Sequence, residues 1–208
     1  MSLVKNELYV PTKFWKTGLE KVGDTLRNGN IKNFRNLKDT RNFFVPTYLI
    51  EGLDFFPEEI INKLKEEIIL KCKSKKTIPL FNNLKSGHHL AYGDYRTFVS
   101  GDIIDKKPFL HNCSESTIGN PLNQFVFDDK KYSRSMLNYL NGLVCLKKTV
   151  DTDEIKNVLE IGGGFGTLGE ILLNDKSRKY KYINIDIPPT SYASSYYLNE
   201  LYKENFKS

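Results

Sequence analysis

A glycine run placed directly after a short apolar strand constrains this chain more than any other feature. Residues 157–161 read as a strand with Glu160 near its end, and Gly162, Gly163, Gly164 and Gly166 follow at once. Glycine lets the backbone adopt left-handed turns and come close to a ligand, and a helix beginning there presents free N–H groups. Residues 167–174 read as that helix, with Leu168, Ile171 and Leu172 apolar. Residues 182–187 alternate as a second strand reaching Asp186, twenty residues beyond Gly166, and 191–205 look helical. Strand, glycine loop, helix, strand, helix is the start of a parallel, doubly wound α/β sheet.

The order Glu-x-Gly-x-Gly-x-Gly resembles the first motif of class I methyltransferases, which bind S-adenosylmethionine (SAM). The resemblance implies that Glu160 lies near the cationic methionine end of SAM. An acid closing the second strand is where both ribose hydroxyls of a nucleotide are accepted, which suits Asp186. The cofactor residues expected are therefore Glu160, Gly162, Gly163, Gly164, Gly166 and Asp186. A dinucleotide site is the rival, because Gly164-Phe165-Gly166-Thr167-Leu168-Gly169 matches GxGxxG and Asp186 stands where the ribose acid of NAD would. Against it, Gly162-Gly163 would be surplus loop, and such sites usually place an apolar residue where Glu160 stands.

The rest of the chain supplies a core and excludes several classes. Of 208 residues 39% are hydrophobic and 12% aromatic, a globular composition. Net charge is +6. The lysines of residues 71–76 read as a solvated helix end, because no clustered arginines and aromatics accompany them as nucleic-acid binding would want. Three scattered cysteines, Cys72, Cys113 and Cys145, form no CxxC pair. They predict neither disulfides nor a zinc site, and suit a reducing cytoplasm. No apolar run approaches the roughly 20 residues of a membrane span.

Further elements follow from periodicity. Phe14, Trp15, Leu19, Val22 and Leu26 fall at helical spacing and Asn28-Gly29-Asn30 stops that helix. Aromatic pairs stand at Phe43-Phe44 and Phe55-Phe56. Pro57-Glu58-Glu59 opens a second helix with an apolar stripe at Ile60, Ile61, Leu64, Ile68 and Cys72. Residues 78–130 read as loops with short strands. Ser133 is placed to cap a helix running to about Lys148, with Met136, Leu137, Leu140, Leu143 and Val144 inward.

Beyond the glycine motif, the run Val158–Gly166, the stretch Tyr182-Ile183-Asn184-Ile185-Asp186-Ile187-Pro188-Pro189 and Tyr196-Tyr197-Leu198 resemble the sugar O-methyltransferases of bacterial surface-polysaccharide loci. Cys113–Pro121 and Tyr132–Tyr139 are similar to that family's region before the glycine loop. The resemblance spans about residues 90–200. It implies a sugar or glycan acceptor and a Rossmann-like class I domain, of which this sequence supplies the first two strand–helix units and then stops. The expectation is thus a mainly helical, mixed region over 1–130 and the first part of a SAM-binding domain over 131–208, truncated and with its own activity in doubt.

O-methylation of a weakly nucleophilic hydroxyl calls for in-line attack and a general base. Histidine is the default base, and His88, His89 and His111 are the three present. His111, beside the Ser114–Pro121 stretch, is the catalytic candidate, although the base could equally lie outside this sequence. Glu115 and Asp94 could ligate a metal or a sugar, but surface solvation is the expected role, and no metal is predicted. Arg134 and Tyr139 could reach the cofactor carboxylate, against solvent for Arg134 and core packing for Tyr139. Tyr192, Tyr196 and Tyr197 read as a packed helix face. Two other functions stand open: a nicotinamide-dependent oxidoreductase or epimerase of sugar nucleotides, and a non-catalytic piece that folds with a partner chain. A homo-oligomer is also left open.

Overall fold

The computed structural model describes residues 12–28, 31–37, 56–72, 74–122, 124–203 and 207, with the backbone alone of Phe14 and Trp15. The Phe43-Phe44 pair, Phe55 and Lys73 lie outside the described residues. The architecture of the described residues is mixed α/β: seven helices and four short strands in two separate two-stranded sheets.

Helix α1 spans Lys13–Asn28 and buries Leu19 and Val22. A short turn over Ile31–Asn33 then delivers Phe34 and Arg35 into the interior. Helix α2, Glu58–Lys71, starts after Pro57 with two acids in its first turn, as expected. Its stripe does not pack as expected. Ile61 alone is buried, while Ile60 is 45% and Leu64 39% exposed and Cys72 is exposed. The described lysines of residues 71–76 are exposed, as a solvated helix end should be.

Residues 78–130 correct the sequence expectation. Thr77–Ser86 forms α3 and His88–Gly101 forms α4, so the first part of this stretch is helical rather than looped. Pro79 sits in the first turn, where its missing N–H has no intrahelical acceptor to reach. Gly87 at φ 73° ends α3 and turns the chain into α4. The signal overlooked is the spacing of Thr77 with Phe81 and of Ala91, Tyr95 and Phe98, which are the buried residues of the two helices. The expected short strands do occur. β1, Phe125–Phe127, and β2, Lys130–Tyr132, form an antiparallel hairpin around Asp128 and Asp129. Both turn residues have positive φ, 47° and 61°, as a two-residue hairpin turn of matching twist requires.

Helix α5, Arg134–Thr149, is capped by Ser133, whose Oγ accepts the Met136 N–H at 3.1 Å. Its inward residues Met136, Leu137, Leu140 and Val144 join Tyr95, Phe98, Leu110, Phe127 and Tyr132 in one core, with Leu143 packed against it. Ionic contacts tie α5 to its neighbours. Arg134 Nε meets Asp94 Oδ2 of α4 at 2.9 Å. Lys147, fully buried, donates to Asp102 Oδ1 at 2.6 Å and to the Pro108 carbonyl at 3.1 Å. Arg134 is therefore an interior ion-pair residue rather than a solvated one.

The C-terminal part matches the sequence pattern closely. β3 is Asn157–Ile161, α6 is Thr167–Asn174, β4 is Lys181–Ile185 and α7 is Thr190–Tyr202. β3 and β4 pair in parallel, Asn157 with Lys181 through Ile161 with Ile185. Strand side chains alternate between faces. Val158, Glu160, Tyr182 and Asn184 turn toward α6 and α7, and Tyr182 packs against a second core of Phe34, Phe165, Ala193, Tyr197 and Leu198. The opposite face carries Leu159, Ile161, Ile183 and Ile185, which are 58%, 79%, 46% and 52% exposed. Among the described residues no helix is long and apolar enough to cross a membrane.

Candidate functional site

The glycine loop departs from the end of β3 in a conformation that its glycines permit. Gly162, Gly164 and Gly166 have φ of 73°, 59° and 101°, the left-handed region that side chains disfavour. The parallel ladder runs one step into the loop, because Gly162 N–H donates to the Ile185 carbonyl at 2.7 Å. Gly166 then caps α6. A Cβ added to Gly162 or Gly164 would meet nothing within 4 Å, so these two glycines border open space and leave room for a close ligand. Gly163 and Gly166 are glycines for a different reason. A Cβ on Gly163 would lie 2.5 Å from the Glu160 carboxylate and 2.6 Å from Asn184 Oδ1, and one on Gly166 would crowd Leu198 at 3.1 Å.

Asp186 follows β4 directly and is joined to the loop. Its Oδ2 accepts the Gly164 N–H at 2.8 Å and its Oδ1 accepts the Ile187 N–H at 2.7 Å. Partial burial pushes its pKa up, and the two backbone N–H groups pull it back. An ionised carboxylate has about four acceptor sites, so lone pairs remain for hydroxyls of a ligand.

Glu160 lies under the loop and is held by two tyrosines. Tyr139 of α5 donates to its Oε1 at 3.1 Å and Tyr182 of β4 donates to its Oε2. Burial first, and then that bond to Glu160, hold the Tyr182 hydroxyl far above its ordinary pKa. Asn184, opposite Glu160 in the parallel register, donates to Ser194 Oγ at 2.8 Å and to the Gly164 carbonyl at 3.3 Å. Its Oδ1 is buried without a hydrogen-bond partner beside Gly163. The structure thus brings Glu160, the four glycines and Asp186 into one place, and adds Tyr139, Tyr182 and Asn184. The sequence signal for Asn184 was its register: two residues before Asp186, on the face that Glu160 uses.

A polar network underlies the loop on the side of the N-terminal segment. Arg35 pairs with Glu115 and its guanidinium lies 4.9 Å from the centre of the Phe165 ring. Glu115 also accepts from Ser133 N–H at 2.5 Å, Ser133 Oγ at 2.8 Å and Gln124 Nε2 at 3.2 Å. Glu170 of α6, 1% exposed, accepts from Ser116 N–H at 2.7 Å and from the Tyr197 hydroxyl at 2.6 Å. Burial, then the charge of Glu115, push the Glu170 carboxyl up to about 7. Glu115 and Asp94 are ion-pair partners of arginines rather than solvated surface groups, and among the described residues no His, Cys, Asp and Glu cluster could hold a metal.

His111 is exposed in a short turn, with its ring beside Asn112 and Phe109. His88 stacks on Tyr92, and His89 contacts the Asn83 carbonyl. Among the described residues, none of the three makes a hydrogen bond or ring contact with the glycine loop. Of Tyr192, Tyr196 and Tyr197 on α7, Tyr197 is buried and Tyr196 half-buried, whereas Tyr192 is 64% exposed and lies off the packed face.

No known family, no curated protein and no solved structure matches this chain. An open cleft of about 770 Å³ runs beside β4 and touches Asn184 and Asp186 but none of the loop glycines. It is a neighbour of the candidate site, not the site.

Proposed function

We propose that this chain forms the donor-binding half of a SAM-dependent methyltransferase with a Rossmann-like sheet, acting in the cytoplasm. The observation that carries the reading is the junction of the loop and the second strand. Three left-handed glycines leave β3, two of them border open space, and Gly164 is bonded to the acid that closes β4. That arrangement suits a nucleoside whose ribose bonds the acid and whose amino-acid end lies over the loop.

SAM would supply an electrophilic methyl group on a sulfonium. The residues of this chain would hold and orient it. Asp186 would accept ribose hydroxyls with its remaining lone pairs, and the open glycines would let the backbone approach the ligand. Glu160, fixed by Tyr139 and Tyr182, would set a negative potential where the ligand is cationic. The acceptor we propose, a sugar hydroxyl, is supported by the resemblance of residues 90–200 to sugar O-methyltransferases.

One observation favours the dinucleotide alternative. Gly169 packs against Tyr182 so closely that a Cβ would stand 2.5 Å from the ring, and the third glycine of GxGxxG serves that purpose. Against it, β3 ends at Ile161 and its pairing stops at Gly162, so Gly164 would begin the motif two residues late. Equilibrium dialysis of the chain with radiolabelled SAM and with NAD separates the two. SAM binding that Gly164→Val abolishes is expected; NAD binding without SAM binding would end the methyltransferase reading.

A further inference from the structure

We propose that the open edge of β4 takes up an extended segment of a second, different polypeptide, aliphatic at alternate positions and acidic at the end that meets Lys179 and Lys181. The proposal is independent of the methyltransferase reading. The ladder shows which backbone groups are available. Lys181 N–H donates to the Lys156 carbonyl at 2.8 Å, and the Ile185 carbonyl accepts from Gly162 at 2.7 Å. Residues 181, 183 and 185 therefore face β3, and Tyr182 and Asn184 turn their N–H and C=O groups outward.

The cleft beside β4 is lined by Lys181, Tyr182, Ile183 and Asn184 in succession. Consecutive strand residues point to opposite faces, so a space touching all four runs along the backbone edge. Among the described residues this edge has no strand partner. An unpaired edge is a template for another strand, and main-chain bonds supply affinity while alternate side chains supply specificity. The exposed face next to it, Leu159, Ile161, Ile183 and Ile185, is aliphatic, and parallel sheets are normally covered on both faces. A docked segment would extend that face with its own apolar residues.

Charge decides the direction. Lys176, Lys179 and Lys181 are exposed at the start of the cleft, and Asp186 stands at its far end. A segment with carboxylates opposite the lysines is matched there. A second copy of this chain is not. Ser191, Ser194 and Leu198 of α7 line the same cleft. Two-fold pairing through β4 would set two α7 helices on one side of strands only about 4.8 Å apart. Packed helices need about 8–10 Å.

The test uses the 208-residue chain and two labelled ten-residue peptides that alternate valine with threonine, one with two glutamates at one end and the other with two lysines. Saturable binding of the glutamate peptide is expected in fluorescence anisotropy. Amide exchange at Tyr182 and Asn184 should slow about tenfold or more in the complex. The exposed-site variant K179E/K181E should bind the glutamate peptide about tenfold more weakly and prefer the lysine peptide, at unchanged melting temperature. The proposal is overturned by an absence of binding, by equal affinity for both peptides, by slow exchange at Tyr182 and Asn184 in the free chain, or by a dimer in sedimentation that protects the same two amides.

Discussion

The backbone amide of Gly164 donates to Oδ2 of Asp186 at 2.8 Å, which locks the turn of the glycine loop to the end of the neighbouring strand. Asp186→Ala removes the acceptor of both Gly164 and Ile187. The expected loss is about 1–2 kcal/mol of stability, together with, on the proposed function, at least about a tenfold loss of SAM affinity. Asp186→Asn keeps one oxygen for Gly164 but none for Ile187, and should recover part of the stability but not the affinity. Urea unfolding and equilibrium dialysis on the two variants read the two effects separately.

Gly169 has no room for a methyl group. Its Cβ would meet the Tyr182 ring at 2.5 Å, and Tyr182 is pinned by its bond to Glu160. Gly169→Ala should destabilise by about 1–3 kcal/mol through overpacking, although alanine is the better helix former. The double variant Gly169→Ala/Tyr182→Phe should recover little, because the clash lies with the ring and not the hydroxyl. Denaturant midpoints on both proteins check this.

Arg35 and Glu115 are a buried pair, and removing one partner leaves a charge without its counterion. Arg35→Met should cost about 3–5 kcal/mol. Adding Glu115→Gln should return part of that loss, since Ser133 and Gln124 still bond the side chain. A double-mutant cycle in thermal unfolding measures the coupling; additive losses would show the pair to be uncoupled.

Glu170 makes stability depend on pH in a stated direction. Its folded pKa is raised from 4.5 to about 7, chiefly by burial. A raised carboxyl contributes stability that is complete below the unfolded value and is lost as pH rises through the folded one. Stability should therefore fall between about pH 4.5 and 7, by of order 3 kcal/mol. Glu170→Gln should flatten that fall while keeping an acceptor for Ser116. Unfolding free energies at pH 5 and pH 8 for both proteins test the sign.

The second half of the fold was legible because period and punctuation agreed there. β3, the four glycines, α6 and Asp186 sit where strand alternation and glycine placement put them. Helices α3 and α4 were not read, because Pro79, Gly87 and Gly93 look like breakers unless the spacing of Ala91, Tyr95 and Phe98 is counted first. The stripe of α2 shows the opposite failure: clear periodicity with one buried residue, since a pattern states what a helix can bury and not what it meets. Around the site, Glu160, Asp186 and the glycines follow from local order. Arg35 and Glu170 could not, because each reaches its partner across more than fifty positions and pattern rules see only neighbours.

Phe34 and Arg35 carry a last consequence. The Phe34 ring meets Phe165 edge-on at 5.5 Å, and Arg35 lies over the same ring. The residue in the middle of the glycine loop is thus gripped by a segment more than a hundred positions earlier in the chain. Loosening that grip should loosen the loop, so the segment around Phe34 acts as a tensioner on the glycine loop. A protease nick between them would be felt at Gly164 before the rest of the chain came apart.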